Sequence, residues 1–298
     1  MKRRTLLVAA ASGAIISRTS RSAAADTHAD SGDPWTTRGV LQRAGGVMGY
    51  AATGQGQPLV LLPKLGGWIA DWVPLARELA AEYRLIAIDP PGHGSSRMAS
   101  GPPMVQTLSE SAALVRATLD ELGVESFTLV GNSLGGCISA TLAALWPRAV
   151  ERLILISTAV PARAPLAQIL NDESKANPPI YASDGRPLPR SAQTWMTSFG
   201  VNPALVDGMN RSRAAAGRWI RASERGVARE GLTELLPRIE APTLLIYSDK
   251  GTYVRHRLTA ERLIRNVRGT TIADAGSFVH QQKPAETARA IREFLRAV

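Results

Sequence analysis

Ser133 stands in the run Gly131-Asn132-Ser133-Leu134-Gly135-Gly136, directly after the apolar segment Phe127-Thr128-Leu129-Val130. The G-x-S-x-G spacing is that of a nucleophile elbow, a sharp strand-to-helix turn that presents a serine above a parallel sheet. Small flanking residues are required because the turn is strained and the helix must pack close to the strand. A serine so placed sits at a helix N-terminus, where free N–H groups stabilise negative charge developing on a carbonyl oxygen. The chemistry this permits is acyl transfer through a serine hydroxyl, provided a base takes its proton.

The elements around the serine follow from the hydrophobic pattern. Strands are predicted at 39–43 and 47–52, then at 59–62, 84–88, 127–130, 153–156, 243–247 and 270–272. Helices are predicted at 72–82, 108–122, 135–145 and 286–295. Short apolar strands alternating with helices imply a parallel sheet covered on both faces. The alternation stops between 161 and 237, where Trp195, Met196, Met209 and Trp219 lie among polar and proline-rich residues. A segment this long is too large for a bare loop and is predicted to be a helical cap over the C-terminal edge of the sheet, where ligands bind. Trp195 and Trp219 are candidates for the substrate pocket; packing of the cap onto the sheet accounts for them equally well.

The chain has 298 residues, enough for one large domain. Its 45% hydrophobic and 20% charged content excludes a disordered polymer. The first 25 residues are set apart. Lys2-Arg3-Arg4 opens a basic segment, 6–16 is apolar and Ala-rich, and Ala23-Ala24-Ala25 offers a cleavage site. This is the form of an export signal, with paired arginines resembling a twin-arginine leader. An exported, periplasmic or secreted protein is expected, with 26–37 a flexible segment ahead of a domain at 38–298. The leader carries five of the basic residues and no acidic one, so the net charge falls from +10 to about +5 on its removal. That excess suits a solvated surface. No basic stripe with interleaved aromatics suggests nucleic acid as a partner, no run is long enough to span a membrane, and no metal or cofactor signature is present. Cys137 is the single cysteine, so no intrachain disulfide can form; it is read as a buried packing residue of the elbow helix.

Three motifs together resemble the α/β-hydrolase family, in its branch with a cap after the sixth strand. They are the elbow, the turn Asp89-Pro90-Pro91-Gly92-His93-Gly94-Ser95-Ser96, similar to D-x-P-G-H-G-x-S, and the ending Gly276-Ser277-Phe278-Val279-His280-Gln281-Gln282-Lys283-Pro284. The resemblance covers nearly all of 38–298 and implies a mostly parallel eight-stranded α/β sheet with helices on both faces. A serine at the elbow, in place of aspartate, speaks against haloalkane dehalogenases and epoxide hydrolases. Esterases, lipases, carbon–carbon bond hydrolases and cofactor-free peroxidases remain.

The resemblance also implies where the serine's partners should stand, in the chain order Ser, Asp or Glu, His. The acid lies three residues before a valine after the seventh strand, and counting back from Val254 gives Gly251. The base stands seven residues before the proline of the last helix, which gives Ser277. Asp249, two residues before Gly251, is the candidate acid. His280, four before Pro284, is the candidate base, although similar sequences often carry a second histidine there. His93 belongs to a structural turn, His256 to an exposed helix and His28 to the flexible segment. In the oxyanion loop Pro63-Lys64 replace a His-Gly pair, with the backbone N–H groups of Leu65 and Leu134 as donors. Gly66-Gly67 are expected to absorb that turn while Lys64 points to solvent. Two functions follow: a serine hydrolase of an ester or similar small carbonyl substrate with Ser133, His280 and Asp249 as an atypical triad, or a catalytically impaired relative binding a small ligand or a protein. Restoring the register with Gly251→Asp and Ser277→His is expected to raise esterase activity.

Overall fold

A computed structural model describes residues 32–43, 45–176 and 179–297. The leader at 1–25 lies outside the described residues. The sheet begins with β1 (Thr37–Arg43), β2 (Gly46–Thr53), β3 (Pro58–Leu62), β4 (Arg84–Ile88) and β5 (Arg97–Met98). It continues through β6 (Phe127–Asn132), β7 (Val150–Ile156), β8 (Thr243–Ser248) and β9 (Val267–Ile272). The strand order is β1-β2-β4-β3-β6-β7-β8-β9, with β5 paired on β2. From β4 to β9 every neighbouring pair is parallel, whereas β2 runs antiparallel to β1, β4 and β5. The eight-stranded sheet expected from the sequence is thus present. The ninth strand has only two residues, too few to leave a hydrophobic pattern.

Helices cover both faces, which is why the central strands are buried without alternation. On one face lie α1 (Val73–Leu79), α9 (Val279–Gln282) and α10 (Pro284–Arg296). On the other lie α2 (Leu108–Glu121), α3 (Leu134–Leu145) and α8 (Arg257–Leu263). α2 starts with a capping box, in which the Thr107 hydroxyl accepts from Glu110 N–H while the Glu110 carboxylate accepts from Thr107 N–H. Pro284 opens α10 at a position where no backbone donor is needed.

The described residues of 161–237 form the cap helices α4 (Leu166–Ser174), α5 (Ala192–Phe199), α6 (Val206–Ala216) and α7 (Trp219–Glu230). One expectation is corrected at the N-terminal edge. Residues 32–37 are not a free tether, because Trp35 is buried in the apolar cluster that holds Leu59, Leu61 and Trp72, and Thr36 N–H donates to Ala52 O. A buried indole contributes enough apolar burial to hold its short segment in place.

Candidate active site

Ser133 occupies the turn between β6 and α3 with φ 51° and ψ −113°, a region that costs a non-glycine residue about 1–3 kcal/mol. Its neighbours explain how the strain is held. A Cβ on Gly131 would strike the backbone of Gly135, and one on Gly135 would strike the Leu62 carbonyl. Asn132 Nδ2 donates to Ile156 O (2.9 Å) and to Ser277 O (3.3 Å), tying the elbow to the next strand and to the loop before α9. Ser133 itself is 7% exposed.

The oxyanion loop is a tight turn. Gly67 N–H donates to Lys64 O across 2.8 Å, and Gly66 takes the left-handed position with φ 67°. Gly135 N–H donates to Pro63 O at 3.0 Å and fastens this turn to the elbow. Among the described residues the N–H groups of Leu65 and Leu134 donate to no acceptor, so both remain available to an incoming oxygen. Lys64 corrects the sequence reading. It is 2% exposed, and its Nζ donates to Asp71 Oδ2 at 2.8 Å under the Phe278 ring. A buried ammonium needs such a partner, and Asp71 supplies it from the turn before Trp72.

Ser133 Oγ does not meet a histidine. Its partner is the Tyr253 hydroxyl at 2.8 Å, with either oxygen able to donate. Tyr253 lies in the single 3₁₀ turn after β8 (Thr252–His256), and burial holds its phenol above its ordinary range, against the pull of the Ser133 hydrogen bond. Spacing could not have revealed it, since a tyrosine has no fixed place in a Ser-Asp-His register.

His280 is fully buried in α9, with its ring centroid 4.4 Å from that of Trp72. Neither ring nitrogen has a hydrogen-bond partner among the described residues. Burial, with some help from positive Lys64, pushes its pKa down to about 3. The ring is a neutral packing group, and the structure does not join it to Ser133. Asp249 is exposed after β8, where its carboxylate accepts from Asp274 N–H (3.1 Å) and Ala275 N–H (3.3 Å). These backbone bonds hold its carboxyl below the usual range, and among the described residues no hydrogen bond joins it to a histidine.

The acid and base positions of the family register do face one another. A Cβ on Gly251 would lie 2.5 Å from Ser277 Oγ. The cap backbone packs against both: Ser277 N–H donates to Phe199 O at 2.7 Å, and Gly276 is pressed against the Phe199 and Gly200 backbone. Gly251, with φ 93°, lies 3.1 Å from the same Phe199 oxygen if given a Cβ. Small residues at 251, 276 and 277 therefore let the C-terminal end of α5 dock where an aspartate and a histidine would otherwise stand.

The remaining candidates are structural. His93 is buried, with Nδ1 3.0 Å from Pro91 O, and burial lowers its pKa to about 4. His256 is half-buried in the turn that carries Tyr253, not on an exposed helix. Cys137 is buried as expected, and burial pushes its thiol up to about 12, away from reactivity. Trp195 is a buried packing residue. It is sealed among Val201, Val206, Met209 and Phe278, with Nε1 donating to Asn210 Oδ1 at 3.1 Å. Trp219 lies over Gly92, where a Cβ would collide with its indole, and so packs the cap onto the turn after β4.

With this geometry in view, the relatives of the chain can be named. Residues 59–290 match the model of the alpha/beta hydrolase family, and the chain belongs to that family. A dihydrolipoyllysine-residue acetyltransferase component of the acetoin cleaving system from Pseudomonas putida is 42% identical over 104 residues. That match takes in 35% of this chain and 27% of the relative, so the chain spans about a quarter of that protein's length. Among solved structures, a membrane phospholipase A described as a bacterial virulence factor is 25% identical, with a TM-score of 0.71 over 88% of this chain and 86% of that one. A thermophilic esterase from Thermogutta terrifontis shares the fold with a TM-score of 0.71 at 22% identity, covering 88% of this chain and 98% of the esterase.

Proposed function

We propose that the chain is a hydrolase of esters or similar small carbonyl compounds, with Ser133 Oγ as nucleophile and the Tyr253 hydroxyl as its proton-transfer partner. The observation that carries this reading is the 2.8 Å hydrogen bond between those two oxygens at a strained elbow. In the acylation step Oγ bonds to the carbonyl carbon while the Ser133 proton passes to Tyr253 Oη. The phenol's own proton passes to the departing alkoxy oxygen, and the ester C–O bond breaks. Water then follows the same route in reverse, releasing the acid and restoring Ser133. A phenol held protonated suits this relay, because it must donate as it accepts. The N–H groups of Leu65 and Leu134 are the donors to the oxyanion. The esterase and phospholipase among the structural relatives support an ester as substrate.

A relay through a neutral hydroxyl lacks the ~10²–10⁴-fold contribution of a matched general base, so slow turnover is expected. The second reading is a ligand-binding relative, favoured by the cap backbone packed into the acid and base positions at Gly251 and Ser277. Turnover of 4-nitrophenyl acetate by the wild type, Ser133→Ala and Tyr253→Phe separates the two. The hydrolase reading expects activity to vanish in the first variant and to fall at least ~10-fold in the second. Equal rates for wild type and Ser133→Ala would leave only ligand binding. The basic and apolar leader supports export to the periplasm or medium, which cell fractionation tests.

A further inference from the structure

The two cap arginines that lie over the Trp195 ring have no carboxylate partner among the described residues, unlike the nearby Arg221 and Arg225. Arg221 and Arg225 on α7 both donate to Glu173, at 2.8 and 2.6 Å. Arg213 on α6 is as buried as Arg225, at 5% exposure, yet among the described residues its guanidinium makes no hydrogen bond and no ion pair. Glu224 acts on it only from a distance, its carboxylate being taken by the Tyr181 hydroxyl. Leaving a buried guanidinium unpaired costs several kcal/mol, so its persistence calls for a reason.

The surroundings of Arg213 point to one. Its side chain lies against Gly66 of the oxyanion turn, one residue from the Leu65 N–H. Its Cζ is 6.0 Å from the Trp195 ring, and Arg190 Cζ is 5.1 Å from the same ring and 5.1 Å from that of Phe199. Phe199 in turn lies 6.0 Å from Tyr253, which holds Ser133. The Arg190 side chain also has no carboxylate partner among the described residues. A chain of contacts thus runs from Ser133 through Tyr253, Phe199, Arg190, Trp195 and Arg213 back to the oxyanion turn. Aromatic faces support the two cations from below but do not neutralise them. Burial, and then the nearby Arg190 charge, lower the Arg213 pKa to about 10.

We infer that the site takes an anionic carbonyl compound, whose carboxylate or equivalent anionic group is held by Arg213 with Arg190 while its ester carbonyl faces Ser133. This rests on the hydrolase reading for the chemistry but not for the binding. The planar guanidinium fork matches a carboxylate in a way no other side chain does.

The test uses Ser133→Ala, so that binding is read without turnover. Calorimetric titration compares monoethyl succinate with ethyl methyl succinate, the same chain with its carboxylate capped. The expected result is at least ~10-fold tighter binding of the monoester, a preference that disappears when Arg213→Met is added and survives in part with Arg213→Lys. Equal affinity for the two esters in Ser133→Ala overturns the inference, as does a preference that persists without Arg213. If Arg213→Met does not fold, Arg190→Gln and Arg213→Lys must each reduce the preference. The two ideas fail separately: wild type that turns over no ester but keeps the charge preference loses only the hydrolase reading.

Discussion

At His280, burial acts on a titratable ring that nothing among the described residues compensates. The ring of His280 has no hydrogen-bond partner, so protonating it in the fold is expensive and its pKa falls to about 3. In the unfolded chain the same ring titrates near its ordinary value of about 6.5. Between those values the unfolded state holds one more proton, so stability falls as the pH drops through 6.5 towards 3. At pH 5 the loss amounts to about 2 kcal/mol. His93, lowered to about 4, acts in the same direction. Asp89 acts against both: burial lifts its pKa to about 6, so between 6 and 3.8 the folded state holds the extra proton and acid favours the fold. Replacing His280 by Phe keeps an aromatic ring on Trp72 and removes one titration. Urea unfolding at pH 7 and pH 5 should then show a drop about 2 kcal/mol smaller than in wild type. An unchanged drop would mean that His280 reaches water or a proton partner.

At the scale of elements, the family's acid and base loops have been given a different task. Sequence spacing located both, at 251 and 277, and the structure brings them face to face. Spacing could not show that Phe199 and Gly200, some fifty residues before Gly251, press their backbone against these two loops. Gly200 ends α5 in the left-handed conformation (φ 64°) and directs the Phe199 carbonyl at Ser277 N–H. The expectation that Gly251→Asp with Ser277→His restores activity is therefore reversed. Residue 251 has φ 93°, a conformation that costs an aspartate about 1–3 kcal/mol. Its Cβ would also crowd a backbone oxygen that cannot rotate away. The double variant should lose at least ~2 kcal/mol in urea unfolding and gain no esterase activity over wild type. Faster ester turnover would show that the end of α5 yields readily. The same contrast explains what the sequence concealed. The elbow was legible because its strain demands small residues at fixed offsets around Ser133. Tyr253, the Lys64–Asp71 pair and Arg213 were not, because their partners are set by how loops fold back, which no period records.

Over the whole molecule, the cap is joined to the sheet by both apolar and polar contacts. Two apolar clusters cover the two faces of the sheet, and a third, smaller one lies inside the cap around Trp195, Val201, Val206 and Met209. Phe278, from the loop before α9, completes that third cluster, its ring 6.2 Å from Trp195 in an edge-on arrangement. Arg225 donates to Met104 O at 3.2 Å, and Gln106 N–H to Ala222 O at 2.9 Å, so polar bonds fasten α7 to the segment before α2. Truncating a buried aromatic costs about 3–5 kcal/mol at its own site, a large share of the stability of so small a cluster. Trp195→Ala should therefore open the cap while the two sheet clusters remain intact. Brief trypsin digestion should cut first at cap arginines such as Arg190 and Arg211, with fragments from the flanking sheet elements staying associated and resistant. Charge-selective binding should disappear in the same preparation, because Trp195 is the ring over which Arg190 and Arg213 converge. Ile291→Ala, which opens a cavity in the cluster beneath α10, should instead speed cleavage along the whole chain. If both variants gave one digestion pattern, cap and sheet would be a single cooperative unit, and ligand entry could not proceed by loosening the cap alone.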